Sequence, residues 1–306
     1  MENFLIVAEQ VAILFILIAV GFVLGKKNVM NDAGARVCAD LALLVATPCA
    51  VVNSFRREAT AEIWISVLAM LGAGLLCHAV GIAAAHLAFP QSTSRDRVLR
   101  VSTVMSNAGF MAFPLQLAIL GDTGLFSGAV YVATHNMVFW SYGKVTMDRH
   151  DSKLNVRKIV INLGTISLAI GAVVMLLPFD LPQVLSGPLE HFASLCTPIP
   201  MLFIGYSLSK VDLKTIFNRP QNYGLCALRL IVVPFAAAGI LYLLGMRGTM
   251  LLAATIATAA PTATSVSMFA ARYGQDEETA VNTVALSTVL SLITLPVVVS
   301  VVKLFA

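Results

Sequence analysis

The chain has 306 residues, 58% of them hydrophobic and 12% charged, with a mean hydropathy of +0.86 and a formal net charge of +4. A soluble globule of this length needs more charge to cover its surface, so the composition places the chain in a membrane. The basic residues are dispersed between apolar stretches rather than gathered in one tract, which argues against nucleic acid as a partner.

A helix needs roughly 20 apolar residues to cross the hydrocarbon layer. Stretches of that length are predicted near 3–25, 36–55, 63–87, 98–120, 124–146, 157–177, 184–208, 222–245, 249–271 and 279–303. The first starts with Glu2, is followed by Lys26-Lys27 and shows no small-residue cleavage site, so it reads as a retained helix rather than a signal peptide. The five cysteines lie scattered through apolar segments without a CxxC spacing and read as packing residues. With the N-terminus outside, loops on the cytoplasmic side hold fifteen of the 20 basic residues, from Lys26, Lys27 and Arg36 through Lys144 to Arg272. Both termini are therefore expected on the non-cytoplasmic side of the cell (inner) membrane.

Thr47-Pro48 in the second span recurs as Thr197-Pro198 in the seventh, 150 residues later, and Gly21 recurs as Gly171 at the same offset. Pro114 and Pro261 stand 147 apart. A near-constant offset is what a duplicated unit leaves, and a unit of five spans inverts its second copy. The expected organisation is a first repeat over 1–147, a cytoplasmic linker over 148–158 and an inverted second repeat over 159–306.

Two stretches break the apolar pattern in matching spans, Ser106 to Pro114 in the fourth and Thr258 to Thr264 in the ninth. A proline deprives the carbonyl four residues earlier of its amide partner, and in hydrocarbon such a break survives only where protein or trapped water satisfies it. Two broken helices of opposite direction aim their partial charges at one point, where helix-start amides can hold a carboxylate. Asn107, Gly109, Pro114, Pro261, Thr262 and Thr264 are the candidate substrate-binding residues from these stretches, and Asn136 in the fifth span joins them. The bland alternative is a pair of proline kinks whose polar residues only satisfy freed carbonyls. His135 could bind substrate, move a proton or pack; His78 and His86 read as satisfied core or interfacial residues. Ionisable groups inside spans are functional candidates by default, which adds Glu9, Asp40 and Arg229; Arg229 could also snorkel to the cytoplasmic surface and Asp40 pair with the nearby basic loop.

The chain lacks GxSxG, HExxH and GxxxxGK[ST] motifs, so neither an enzyme nor direct ATP drive is expected, nor a metal site. Gly21-x-x-x-Gly25 and Gly124-x-x-x-Gly128 are packing motifs of low specificity.

The run from Ser106 to Leu115, followed by Gly121, Tyr131, Asn136 and Trp140, resembles the fourth and fifth helices of the auxin efflux carrier family. Ala260-Pro261-Thr262-Ala263, Met268 to Gly274, Ser287-Thr288 and Thr294-Leu295-Pro296 are similar to its ninth and tenth. The resemblance implies an all-α membrane protein with a bile acid symporter-like fold, ten transmembrane helices in two inverted repeats, a scaffold domain and a transport domain. It implies that helices four and nine cross at Pro114 and Pro261, with the substrate carboxylate beside the crossing, and it matches family amide positions to Asn107 and Asn136. For bacterial members it implies malate- or malonate-type permeases. Two departures stand out: residues 63–87 contain no Asp, Glu, Lys or Arg, so the family's ion-coupling site does not carry over, and Asn162-Leu163-Gly164 stands where many relatives have Asn-Pro-Gly.

The expectation is a secondary-active carrier of small organic anions, working by alternating access around a midplane site. The rivals are an anion channel and a sodium-coupled organic acid symporter. Expected partners are the anion and membrane lipids; proton or sodium coupling, and self-association as a homodimer, stay open. No cofactor is expected.

Overall fold

In a computed structural model the described residues are 2–91, 93–148, 156–212, 216–218 and 220–306, and among them the chain is all helical apart from one isolated β bridge. The linker expected at 148–158 lies largely outside the described residues. The helices are α1 (Glu2–Lys26), α2 (Asp32–Ser54), α3 (Ala61–Ala88), α4 (Ser94–Val104), α5 (Ala108–Met147), α6 (Val156–Val160), α7 (Leu163–Met175), α8 (Gln183–Ser209), α9 (Asn222–Leu243), α10 (Gly248–Ala259), α11 (Ser265–Arg272) and α12 (Glu277–Lys303). Seven of these, α1, α2, α3, α5, α8, α9 and α12, are long and apolar enough to cross a membrane, and α7 and α10 are shorter apolar helices. The chain is therefore a multi-pass membrane protein.

Local chemistry sets the boundaries. Asn31 caps α2 by accepting from the Gly34 amide at 2.9 Å, and Asp276 caps α12 through the Thr279 amide at 2.9 Å. At α7, Asn162 and Thr165 form a reciprocal capping box, so Asn162 starts this helix with Leu163 as the next residue. Three helices widen into a π turn just before a proline: Ala42–Ala46 before Pro48, Ala108–Ala112 before Pro114 and Leu228–Val232 before Pro234. Proline has no amide to donate and crowds the carbonyl four residues back, and the wider turn accommodates both effects. Inside α5, Gly121 adopts φ 65° and ψ −157°, a left-handed conformation that a side chain resists. It divides the helix into two limbs with no intervening loop, where the sequence suggested a short connection between 120 and 124.

The two stretches expected to break helices do so. Between α4 and α5 the chain is extended at Met105, with φ −86° and ψ 104°, and between α10 and α11 it is extended at Ala260, with φ −59° and ψ 149°. The first break falls at 105–107, ahead of the proline: Pro114 sits buried in the turn after the π segment and the helix restarts six residues before it.

The helices pack as two groups. In one, α1 runs along Pro198–Ser209 of α8, and Thr47–Ser54 of α2 contacts α7 and Gln183–Ser194 of α8. Glycines allow the first of these approaches. A Cβ on Gly21 would lie 2.3 Å from the Leu202 carbonyl oxygen, and one on Gly205 would lie 2.0 Å from that of Ile18. In the other group α10 packs on α5, α9 and α12, and α3 packs on α4, α5 and α9. The groups meet along α5 and between α1 and α12.

Candidate functional site

The breaks are joined to each other. The Asn107 amide donates to the Pro261 carbonyl at 2.7 Å, the Ala263 amide donates to the Met105 carbonyl at 3.0 Å, and Ser106 and Thr262 form an antiparallel β bridge. Extended backbone deep in a membrane protein must find partners within the protein, and each break supplies them for the other. The junction is anchored to neighbouring helices by hydroxyls: Ser287 of α12 accepts from the Thr262 amide at 3.1 Å, and the Thr262 hydroxyl donates to the Ser102 carbonyl at 3.1 Å.

Beside this junction lies a cavity of about 560 Å³ between the two helix groups. That volume falls within the range of about 300–1,000 Å³ usual for small-molecule sites. One wall comes from α2, α7 and α8 with Asp40, Gly164, Ser167 and Phe203; the other comes from the breaks, α5 and α11 with Asn107, Gly109, His135, Asn136 and Thr264. Its rim carries the exposed Asp32 and Arg36. There the Tyr206 hydroxyl donates to Asp32 at 2.5 Å and Lys210 lies 3.9 Å from the same carboxylate. The Tyr206 hydroxyl, and then Asp32, hold the Lys210 ammonium above the ordinary lysine range.

Asn107 is 5% exposed. Its Oδ1 accepts from the Phe110 amide at 3.3 Å, capping the restarted helix, while its Nδ2 is buried with no hydrogen-bond partner. An unpaired buried donor costs about 1–3 kcal/mol unless something completes it. Asn107 also lines the cavity, with this unpaired donor buried next to it. The first amides of α5, at Ala108 and Gly109, lack intrahelical acceptors as at any helix start, and the helix dipole makes that end positive. A Cβ on Gly109 would meet nothing within 4 Å, so the backbone here is open to the cavity. Asn136 approaches α7 so closely that a Cβ on Gly164 would lie 2.5 Å from its Nδ2.

The remaining predicted residues divide. Thr264 and Asp40 line the cavity. Thr262 is fully buried and its amide and hydroxyl are both used inside the junction; Pro114 and Pro261 are buried and do not line the cavity. Glu9 lies on the exposed face of α1, away from the cavity. Arg229 does not snorkel to the surface. It is 1% exposed and its Nη2 donates to the Ala260 carbonyl at 3.1 Å, at the end of α10, because the π turn over Leu228–Val232 carries it inward. A cation there opposes the negative pole of α10. Among the described residues the only buried charged side chains are those of Arg100 and Arg229, so the interior holds positive charge without a buried acid to match it. Arg100 is occupied at the α3 end, donating to the Phe89 and Gln91 carbonyls at 2.7 Å each.

Sequence reasoning passed over His78. Its Nε2 lies 3.1 Å from Nδ1 of His135, a pairing of α3 with α5 that no local spacing announces. Trp140, Ser167 and Phe203 also line the cavity without having been singled out for it.

A cavity between two helix groups, floored by paired breaks, defines the class: a multi-pass membrane transporter. Residues 6–299 match the family described as membrane transport protein, and the chain belongs to that family, the auxin efflux carrier-like transporters. It is 24% identical over 298 residues to an uncharacterized transporter of Methanothermobacter thermautotrophicus, covering 94% of this chain and 96% of that one. Family and relative both indicate a transporter rather than an enzyme.

Proposed function

We propose that this transporter is a secondary carrier of small organic anions, of the carboxylate type, working by alternating access around the cavity beside Asn107. The observation that carries the reading is the unpaired Asn107 Nδ2 at a helix start beside a cavity of small-molecule size, with Arg229 as an unmatched buried cation behind the junction. Each of these favours negative charge.

The chain is read as ten spans in two inverted repeats, 1–147 and 159–306, joined by the linker at 148–158. In this reading α4 with the first limb of α5 is the fourth span, and α10 with α11 the ninth. Exchange of partners between halves supports it. Gly21 of α1 packs against Leu202 in α8, and its counterpart Gly171 of α7 packs against Phe55 at the end of α2. Thr47 of the first Thr-Pro pair touches Cys196, next to the second pair, with Oγ1 and Sγ 3.8 Å apart. The group of α1, α2, α7 and α8 serves as scaffold and the other as the moving transport unit. With basic loops cytoplasmic in the cell (inner) membrane and both termini on the opposite side, the rim at Asp32 and Arg36 faces the cytoplasm.

Thermal stabilisation of the purified protein by a panel of mono- and dicarboxylates and indole acids, at two pH values and with and without sodium, tests the reading. A carboxylate that stabilises the wild type but not Asn107→Ala or Asn136→Ala is the expected result. Stabilisation that survives both substitutions overturns the site, and conductance steps in a bilayer replace the carrier with a channel.

A further inference from the structure

Two buried histidines stand between the cavity wall and α3. His78 is 3% and His135 7% exposed, and His135 lines the cavity wall. Hydrogen bonds fix which nitrogens carry protons. His78 Nδ1 lies 2.6 Å from the Gly74 carbonyl oxygen, which can only accept, so Nδ1 carries the hydrogen. In the neutral ring His78 Nε2 is then a bare lone pair, and the atom 3.1 Å from it, His135 Nδ1, must be its donor. That leaves His135 Nε2 as a lone pair without a hydrogen bond from any described residue. The ring is held in place by Phe139, stacked at 6.5 Å and 16°, and His78 by Tyr131 at 5.4 Å.

We infer that His135 and His78 form a two-ring proton site that opens to the cavity at His135 Nε2 and takes up one proton when an anion occupies the cavity. This rests on the anion-carrier reading for its ligand, though not for its tautomers. A proton that arrives at His135 Nε2 lets the Nδ1 proton pass to His78 Nε2. His135 ends neutral with its hydrogen on Nε2, and His78 becomes an imidazolium still bonded to Gly74. One proton enters, one moves, and the charge lies one ring deeper, away from the cavity.

The surrounding charges couple this to the substrate. From α9 the Arg229 guanidinium interacts electrostatically with both rings; Cys77 of α3 and Tyr131 of α5 face the same region and are neutral. From α2, Asp32, Arg36 and Asp40 border the cavity, while Gly164 and Ser167 of α7 and Thr264 and Ser265 of α11 bring no charge. With the cavity empty, a proton on the pair sits beside an arginine with no buried acid to offset either. An anion in the cavity supplies that offset, so anion and proton each strengthen the other's binding by the same factor. A carboxylate would then cross with a proton, and no sodium site is needed for coupling.

Nitrogen NMR of histidine-labelled protein in lipid nanodiscs reads the pair directly. The expected spectrum has two rings of the Nδ1-hydrogen form at neutral pH that titrate together, taking one proton between them. An Nε2 hydrogen on His135 while the pair is unprotonated, or two independent titrations, overturns the proposal without any ligand. In the second arm, malonate and then malate are added to weakly buffered protein with a pH indicator. Uptake of close to one proton per anion bound, lost in His78→Gln, whose side chain does not line the cavity and which still binds the anion, is expected. Binding without proton uptake by the wild type overturns the coupling. If neither anion binds, the carboxylate reading fails while the NMR result decides the histidine pair alone.

Discussion

The amide of Asn107 reaches the carbonyl of Pro261 at 2.7 Å, across 154 residues of chain and between two helices that each stop to make the contact. Both partners are main-chain atoms, so the side chain of Asn107 stays free for another task. Its Oδ1 closes the turn at Phe110 and its Nδ2 is left buried and unsatisfied beside the cavity. Two substitutions separate these tasks. Asn107→Ala removes cap and donor together; the lost cap costs about 1 kcal/mol, the lost unpaired donor returns about 1–3 kcal/mol, so the empty protein melts no lower while affinity for a carboxylate falls about 10- to 100-fold. Asn107→Asp keeps the cap and replaces the donor with negative charge, so the capping of Phe110 is retained and anion binding is abolished. Melting curves and uptake into proteoliposomes read the two effects, and wild-type affinity in Asn107→Asp would remove the residue from the site.

Gly109 gives a test of the cavity itself. Nothing lies within 4 Å of where its Cβ would be, and the residue borders the cavity. Gly109→Val therefore fills space needed by a ligand without pressing on the protein. Uptake should fall at least about tenfold, the loss expected when a well-shaped site is filled, with melting temperature nearly unchanged. Equal activity in this variant would mean that the translocated solute passes elsewhere.

The opposite behaviour is expected of Gly205, whose Cβ would lie 2.0 Å from the Ile18 carbonyl oxygen and 2.7 Å from the Phe22 amide nitrogen. Both neighbours are backbone, so only separation of α1 from α8 relieves the clash. Gly205→Val should lose about 3 kcal/mol and melt lower, whereas Gly72→Ala, with open space around it, should be close to neutral. Comparable melting of both variants would contradict the packing of α1 on α8.

The breaks were legible in the sequence because glycine, asparagine and proline inside an apolar run have a local physical meaning. Their exact register was not. Pro114 looks like the break, yet a π turn over Ala108–Ala112 absorbs its missing amide and the chain opens earlier, where Asn107 and Met105 find partners on the other break. Thr262 reads as a ligand group by its hydroxyl, but Ser102 and Ser287 claim it, and they come from different helices. The His78 to His135 pairing spans 57 residues and two helices, so no window of sequence contains it. The depth of Arg229 was misleading for a related reason: its distance from the span end permits snorkelling, and only the turn before Pro234 directs it inward.

Arg229 carries the sharpest prediction. A buried guanidinium with one protein hydrogen bond, an unpaired Nε and no buried acid has lost its hydration without adequate return. Its removal gives up one charge-assisted hydrogen bond to Ala260, worth about 1.5–3 kcal/mol, and relieves a burial penalty of several kcal/mol. Arg229→Met should then melt at or above the wild-type temperature while anion uptake falls sharply, because the positive charge behind the junction is gone. Arg229→Lys restores charge as a single point and should recover part of the uptake. The competing role is a plain cap on α10, in which Arg229→Met melts lower and transports anions normally once folded. Melting and uptake measured on the same three proteins decide between a residue kept for the charge it places in the membrane and one kept for the carbonyl it covers.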